Sequence, residues 1–369
     1  MSKLDRYILK QIVLTLIFSI VALCIIFILV NLMETMDKFI DGKVPLDIIV
    51  KYYLVYLPEI LKILTPVSIL IACLLTIGRL SNNNEITAMK SGGMSLYKII
   101  FPVSIFGLIL SCGQYYFNGW IVPSSNEEKA SITQEYLHKY SDDGYIVNLA
   151  FRASPSRNVL MQYYDANNKT AQRIAIEDYE YVSHDNEEVK TIPKLCSRLE
   201  ARQLIWNDTI ESWQAESGFI KKIDGLDKVS VERFSSLPVE INISPRQLAR
   251  MNKKSDQLTF DEMKDYIQLL KAGGKDIRKL EIDYRSEQAL PLANFIVILF
   301  AVSFASVKKR GGLAVQIAAA MIIAFSYLLC FQLAKPIGLA VDVSAVLVGW
   351  SANILFFIAG VFTLMKTKT

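Results

Sequence analysis

The chain has 369 residues and 52% of them are hydrophobic, with a mean hydropathy of +0.30. Soluble chains of this length average near or below zero, so the composition excludes an ordinary soluble domain and points to an integral membrane protein. The net charge of +4 is small, and Lys and Arg flank apolar runs instead of forming a basic stripe, which excludes a nucleic-acid footprint.

Six apolar stretches approach or exceed the roughly 20 residues a helix needs to cross about 30 Å of hydrocarbon. They are Ile12–Leu32, Ile60–Gly78, Ile99–Val122, Ala289–Val307, Leu313–Ala334 and Val343–Met365. The first is uncharged from Gln11 to Met33 and no small-residue cleavage site follows it, so it is expected to remain as a span. Pro58 and Pro66 in the second could kink it. Pro291 and Pro336 read as a start and a stop signal. Ala301, Ala305, Ala320 and Ala324 permit close helix contacts.

Short flanks set the orientation. On one side stand Lys3, Arg6, Lys10, Arg79, Lys90, Lys98, Lys308, Lys309, Arg310, Lys366 and Lys368; on the other, only Lys38, Lys43, Lys51 and Lys335. Both termini are expected in the cytoplasm, and the insert between spans three and four outside it.

Arg79 to Gly93 forms the loop after span two. Asn82 is expected to cap a short helix, with Glu85 three residues later completing a capping-box pattern and Gly92-Gly93 ending it. A helix over about 82–91 is too short to be stable alone. Ile86 and Met89 share a face and Ala88 offers a close-approach position. Two readings stay open: docking of a partner, or closure of a loop at the membrane surface.

The insert from Pro123 to about residue 255 reads as antiparallel β, a sandwich or jelly roll. Residues 145–151 are β-branched and aromatic. Residues 159–164 and 172–182 flank a polar turn, and 201–206 and 209–215 flank Asn207-Asp208. From 256 to 288 the pattern turns helical. A capping box at Thr259 to Glu262 opens one helix that Gly273-Gly274 stops, and a second runs from Asp276 to Gln288. The two are expected to form an elbow at the outer boundary.

Chemistry is sparse. No phosphate-binding loop is present, His138 and His184 lack ligand-spaced partners, and no nucleophile motif is visible. Four of the five cysteines lie in apolar runs and Cys196 is alone in the polar region, so no disulfide is expected within the insert. No catalytic residue and no metal site are assigned. Lys38, Lys43 and Lys62 lie near the outer ends of the first two spans. They are either a cationic rim for an anionic substrate or local partners of Glu34, Asp37, Asp41, Asp47 and Glu59.

Several segments together resemble one family, the LptF/LptG permeases of the lipopolysaccharide exporter. They are Leu4 to Ile8; Leu57-Pro58 with Leu64-Thr65-Pro66; Gly78-Arg79-Leu80-Ser81 with Glu85-Ile86, Ala88-Met89 and Gly92; Trp120 to Pro123 with Asn126; Tyr266-Ile267 through Leu270 and Gly273; and Pro291-Leu292-Ala293. The resemblance spans the chain, although the β domain agrees only in size and placement. It implies six membrane helices (1–122 and 289–369), a periplasmic jelly-roll-like domain (123–255) and elbow helices (256–288).

It further implies an inner-membrane permease subunit, not an enzyme, paired with a related LptF- or LptG-like permease. Two copies of a cytoplasmic ATPase, LptB, would hold ATP and Mg, and this chain would bind no cofactor. LptC and a periplasmic bridge would receive lipopolysaccharide drawn from the outer leaflet. Arg79, Glu85, Ile86, Ala88, Met89 and Gly92 would form the ATPase-coupling element, and Lys38, Lys43 and Lys62 the cavity rim. The short first outer loop, Gly42-Lys43-Val44-Pro45, leans toward the LptF-like half without deciding it. A membrane-anchored ligand sensor, or a permease for another lipid, is the rival reading.

Overall fold

The structure, a computed structural model, describes residues 3–137, 145–166, 168–182, 192–208, 210–224, 228–241, 243–250, 253–272, 276–305, 312–341 and 343–366. Two compact units emerge. One comprises residues 1–139, 255–260 and 278–369; the other comprises 140–254 and 261–277.

The first unit is helical. Its elements are α1 (Lys3–Asp41), α2 (Leu46–Asn82), α3 (Glu85–Ser91), α4 (Leu96–Tyr116), a π-helical turn (Phe117–Ile121) and α5 (Val122–Ile132). After the insert come α8 (Arg278–Ala289), α9 (Ala293–Ala305), α10 (Gly312–Ala340) and α11 (Ala345–Lys366). Six stretches of described residues are long and apolar enough to cross a membrane: Lys3–Asp41, Leu46–Asn82, Ile100–Tyr136, Arg278–Ser303, Met321–Ala340 and Ala345–Met365. These match the six expected runs, but the helices outlast the hydrocarbon. The 39 residues of α1 extend about 58 Å at about 1.5 Å per residue.

Several boundaries differ from expectation; the fourth span begins at Arg278, not at Ala289. The third span does not end at Val122, because α5 and a second π-helical turn (Thr133–Leu137) continue it. Pro123 sits just after the π turn, at the start of α5, and the helix runs on through it. Pro336 does not stop the fifth span but lies inside α10, which runs on to Ala340. A spanning helix tolerates the one lost donor because its neighbours shield and re-satisfy the backbone. Helix α2 likewise continues through Pro58 and Pro66.

The core of this unit joins α1, α2, α3, α4, α9 and α10 through Ile8, Ile12, Ile69, Leu74, Ile86, Val103, Ile298 and Ala324, among others. At Gly349 the backbone of α8 comes so close that a Cβ would lie 2.8 Å from Arg285 C and Ser286 N, so only glycine fits. Polar links tie the same helices. The Tyr327 hydroxyl of α10 donates to Asn353 Oδ1 of α11 at 2.7 Å, and Asn353 Nδ2 donates to Ala289 O of α8 at 2.6 Å. Tyr327→Phe would leave a buried carbonyl oxygen without its donor. Thermal unfolding in detergent is expected to show a loss of about 1–2 kcal/mol; an unchanged melting temperature would remove this link from the account.

The second unit carries an antiparallel sheet of six described strands: β1 (Tyr145–Ser154), β2 (Arg157–Asp165), β3 (Thr170–Val182), β4 (Ile192–Asn207), β5 (Ser212–Asp224) and β6 (Lys228–Val239). Their spatial order is the sequence order, β1 to β6, so each strand pairs with the one before it. The two expected turns fall in the connections between β2 and β3 and between β4 and β5. β6 was not expected, since Val229, Val231 and Phe234 are interleaved with Ser230, Glu232, Arg233 and Ser235 without a bounding turn signal.

The buried face holds Val159, Met161, Tyr164, Ile174, Leu204, Trp213 and Ala215. Helix α6 (Pro245–Arg250) covers it with Leu248. Trp213 Nε1 donates to Ile243 O at 2.7 Å, and burial pushes the Tyr164 phenol up to about 12. Opposite, Arg198 bridges Glu177 at 3.3 Å and Glu200 at 2.9 Å. Arg157 clamps Asp178 through Nε–Oδ1 at 2.6 Å and NH2–Oδ2 at 3.1 Å; that hydrogen bonding holds the guanidinium pKa above its usual value.

Helices are present in both places where the sequence pattern turned helical. α7 (Phe260–Ala272) belongs, from Asp261 onward, to the sheet-bearing unit, whereas α8 belongs to the helical one. The stop at Gly273-Gly274, together with His138 and His184, lies outside the described residues.

Candidate functional site

The loop after α2 contains the expected helix, but not the expected cap. Asn82 is the last residue of α2, and Asn83 and Asn84 make the turn. Asn84 adopts φ 61° and ψ 12°, a left-handed conformation that asparagine tolerates better than most residues. Its side chain makes no capping bond; its carbonyl accepts from Ala88 N at 2.9 Å. The Asn run is therefore a helix-to-helix reversal.

Helix α3 ends as the glycines suggested. Gly93 has φ +84°, Gly93 N donates to Lys90 O at 3.0 Å, and Met94 N donates to Met89 O at 3.1 Å. This is a Schellman ending, which needs a residue free to enter the left-handed region.

The faces of α3 divide differently from the sequence reading. Ile86 is 3% exposed and belongs to the main helical core, with Met89 packed against it. These two side chains, one turn apart, hold α3 onto its own chain. The outer face is left to exposed Thr87, Ala88, Ser91 and Gly92. Glu85 stands at the edge, its carboxylate accepting from Tyr7 Oη at 3.5 Å and Asn83 Nδ2 at 3.4 Å. Arg79 lines a cavity with Gln11, Thr15 and Thr76.

At the opposite helix ends, the three lysines do not form one group. Lys38 is exposed in the last turn of α1; Lys43 is exposed in the α1–α2 turn with φ 48°. Among the described residues neither side chain has an ion-pair partner. Lys62 is different, pairing with Glu287 of α8 at 2.5 Å while only 16% exposed. Its carbonyl accepts from Gln114 Nε2 of α4 at 3.0 Å, and Gln114 Oε1 accepts from Asn294 Nδ2 of α9.

Glu59, the acid nearest Lys62 in sequence, is taken by Lys129 of α5, whose Nζ also lies 4.1 Å from the Tyr56 ring centroid. Lys51 pairs with Glu128 at 2.9 Å. Helix α2 is thus bound by charge to α5 and α8. Sequence reasoning missed Glu287, Glu128 and Lys129 because they lie far along the chain and carry no local signal. Among the described residues no cluster of His, Cys, Asp or Glu could hold a metal.

Six helices long and apolar enough to span a membrane, a short helix packed onto their core, and an antiparallel sheet inserted in the chain between the third and fourth spans define a polytopic membrane protein. The family model described as "Lipopolysaccharide export system permease LptF/LptG" matches residues 6–366, and the chain belongs to that family. Over 370 residues it is 19% identical to the lipopolysaccharide export system permease protein LptG of Escherichia coli strain K12, covering 98% of each chain. The LptG protein of Haemophilus influenzae is 20% identical over 306 residues, 82% of this chain and 81% of that one. The LptF protein of E. coli K12 is 23% identical over 133 residues, 35% and 36% of the two chains.

Proposed function

We infer that this family member is a multi-pass inner-membrane transport subunit of the lipopolysaccharide export system, paired with a second permease as its LptF and LptG relatives suggest. We propose that it works without hydrolysing ATP itself, passing force from a separate ATPase, LptB-like, into its helices through α3. ATP and Mg reside on that subunit. The observation that carries this is the division of α3: one face is fixed in the core by Ile86 and Met89, so a push on the exposed Thr87–Ala88 face moves α2 and α4 with it. A loop that only closed two spans would need no such rigid helix.

The termini and α3 lie in the cytoplasm, as the Lys/Arg asymmetry supports, and the sheet lies in the periplasm. Lipopolysaccharide is drawn from the outer leaflet, past Lys38 and Lys43, which present exposed ammonium groups to its phosphates. It is then handed to the β domain and onward to LptC and a periplasmic bridge. Lys62 takes part only if its pair with Glu287 opens.

Gentle purification of the tagged chain with its co-purifying subunits tests the reading. A stoichiometric nucleotide-binding subunit and a second permease are expected. A preparation without them, silent for ATPase activity on coexpression, would favour a membrane-anchored sensor instead.

A further inference from the structure

Between the helix ends that carry Lys3, Arg6 and Lys10 on α1 and Arg79 on α2, a cavity of about 380 Å³ is lined by Gln11, Leu14, Thr15, Leu75, Thr76 and Arg79. Polar lining is out of place on a membrane-facing surface. Two of its groups are already satisfied. Thr76, 2% exposed, donates to Thr15 Oγ1 at 3.3 Å, and Thr15 donates to Gln11 O at 2.9 Å. The two others, the Gln11 carboxamide and the exposed Arg79 guanidinium, have no hydrogen-bond or ion-pair partner among the described residues. No acid lines the cavity.

A guanidinium alone at a helix end is ordinary snorkelling. Here it faces a second unspent donor across the helix pair, a combination that suits a phosphate diester. The surface beyond the cavity indicates the source of that phosphate. Leu14, Ile17, Phe18, Val21 and Ile25 are each more than half exposed. Their spacing of three and four residues makes one apolar stripe running from the cavity toward the middle of α1. Polar recess and apolar stripe together have the form of a whole phospholipid, headgroup and acyl chain.

We propose that Arg79 and Gln11 hold the phosphodiester headgroup of an anionic inner-leaflet phospholipid, whose acyl chain lies along the Leu14–Ile25 stripe of α1. The inner-leaflet placement rests on the topology proposed above. The headgroup end of the site, at Gln11 near the start of α1 and Arg79 in the last turn of α2, lies at the helix ends opposite Lys38 and Lys43. Lys3, Arg6 and Lys10 on the same helix favour a net negative lipid over a zwitterionic one.

Native mass spectrometry of the purified permease with its co-purifying subunits, titrated with dioleoyl phosphatidylglycerol or dioleoyl phosphatidylcholine, tests this. One phosphatidylglycerol is expected to persist at a detergent level that strips phosphatidylcholine. Arg79→Gln and Gln11→Leu should each reduce its retention about tenfold at unchanged melting temperature. Arg79→Lys should fall between, and Lys98→Gln, a boundary cation outside the cavity, should match the unsubstituted protein. Equal retention in Arg79→Gln overturns the site. Displacement by an equal concentration of glycerol 1-phosphate overturns a lipid ligand in favour of free phosphate. A photo-crosslinker at Leu14 should capture lipid; capture of a polypeptide overturns the proposal in favour of a protein contact.

Discussion

Lys62→Met alone is expected to destabilise the helical unit by about 2–4 kcal/mol, because it leaves the partly buried Glu287 carboxylate without its cation. Glu287→Met should do the same in reverse. The double variant should recover to within about 1 kcal/mol of the starting protein, since replacing both members of such a pair with apolar groups is close to neutral. Thermal unfolding in detergent gives all three values; additive losses in the double variant would mean that the two groups do not interact. The same series separates structure from transport. If Lys62 also meets lipopolysaccharide, the stable double variant will export poorly. If its work is done by the pair, the double variant will export normally.

The second large effect concerns α3, where two kinds of substitution should part company. Ile86→Asp places a carboxylate in the apolar core. The helix will release instead of burying it, which limits the loss to about 2–3 kcal/mol, the worth of the buried isoleucine. Export should then fail for want of a rigid lever. Ala88→Arg and Glu85→Arg act on the other side. Ala88 is exposed and Glu85 has only two long hydrogen bonds, so both variants should unfold within about 1 kcal/mol of the starting protein. Both should nonetheless lose coupled ATPase activity at least tenfold. Normal export in Ala88→Arg and Glu85→Arg would remove α3 from the coupling path.

What could be read from the sequence followed from periodicity and punctuation. Apolar runs located the six spans. Turn residues located the β2–β3 and β4–β5 hairpins, and Gly92-Gly93 located the end of α3. The failures share a cause. Asn82 looked like a cap because Asn residues serve both caps and left-handed turns, and only the backbone at Asn84 separates the two uses. Ile86 and Met89 looked like a docking face because an apolar stripe does not say whether its cover comes from the same chain. Pro123 and Pro336 looked like boundaries because proline's effect depends on whether the lost hydrogen bond was needed. The ion pairs of α2 join residues that approach only once the bundle has formed, as Lys62 and Glu287 do.

The sheet's order has a consequence for how the chain is made. Because β1 to β6 lie in sequence order, every strand finds its partner already in place when it emerges, and no strand waits for a distant one. Such a sheet closes only short loops, which keeps its contact order low for a β structure and its folding correspondingly fast. The β domain can therefore assemble strand by strand during synthesis, before α9, α10 and α11 exist. Its exposed apolar strands are paired off before the rest of the bundle arrives to compete for them.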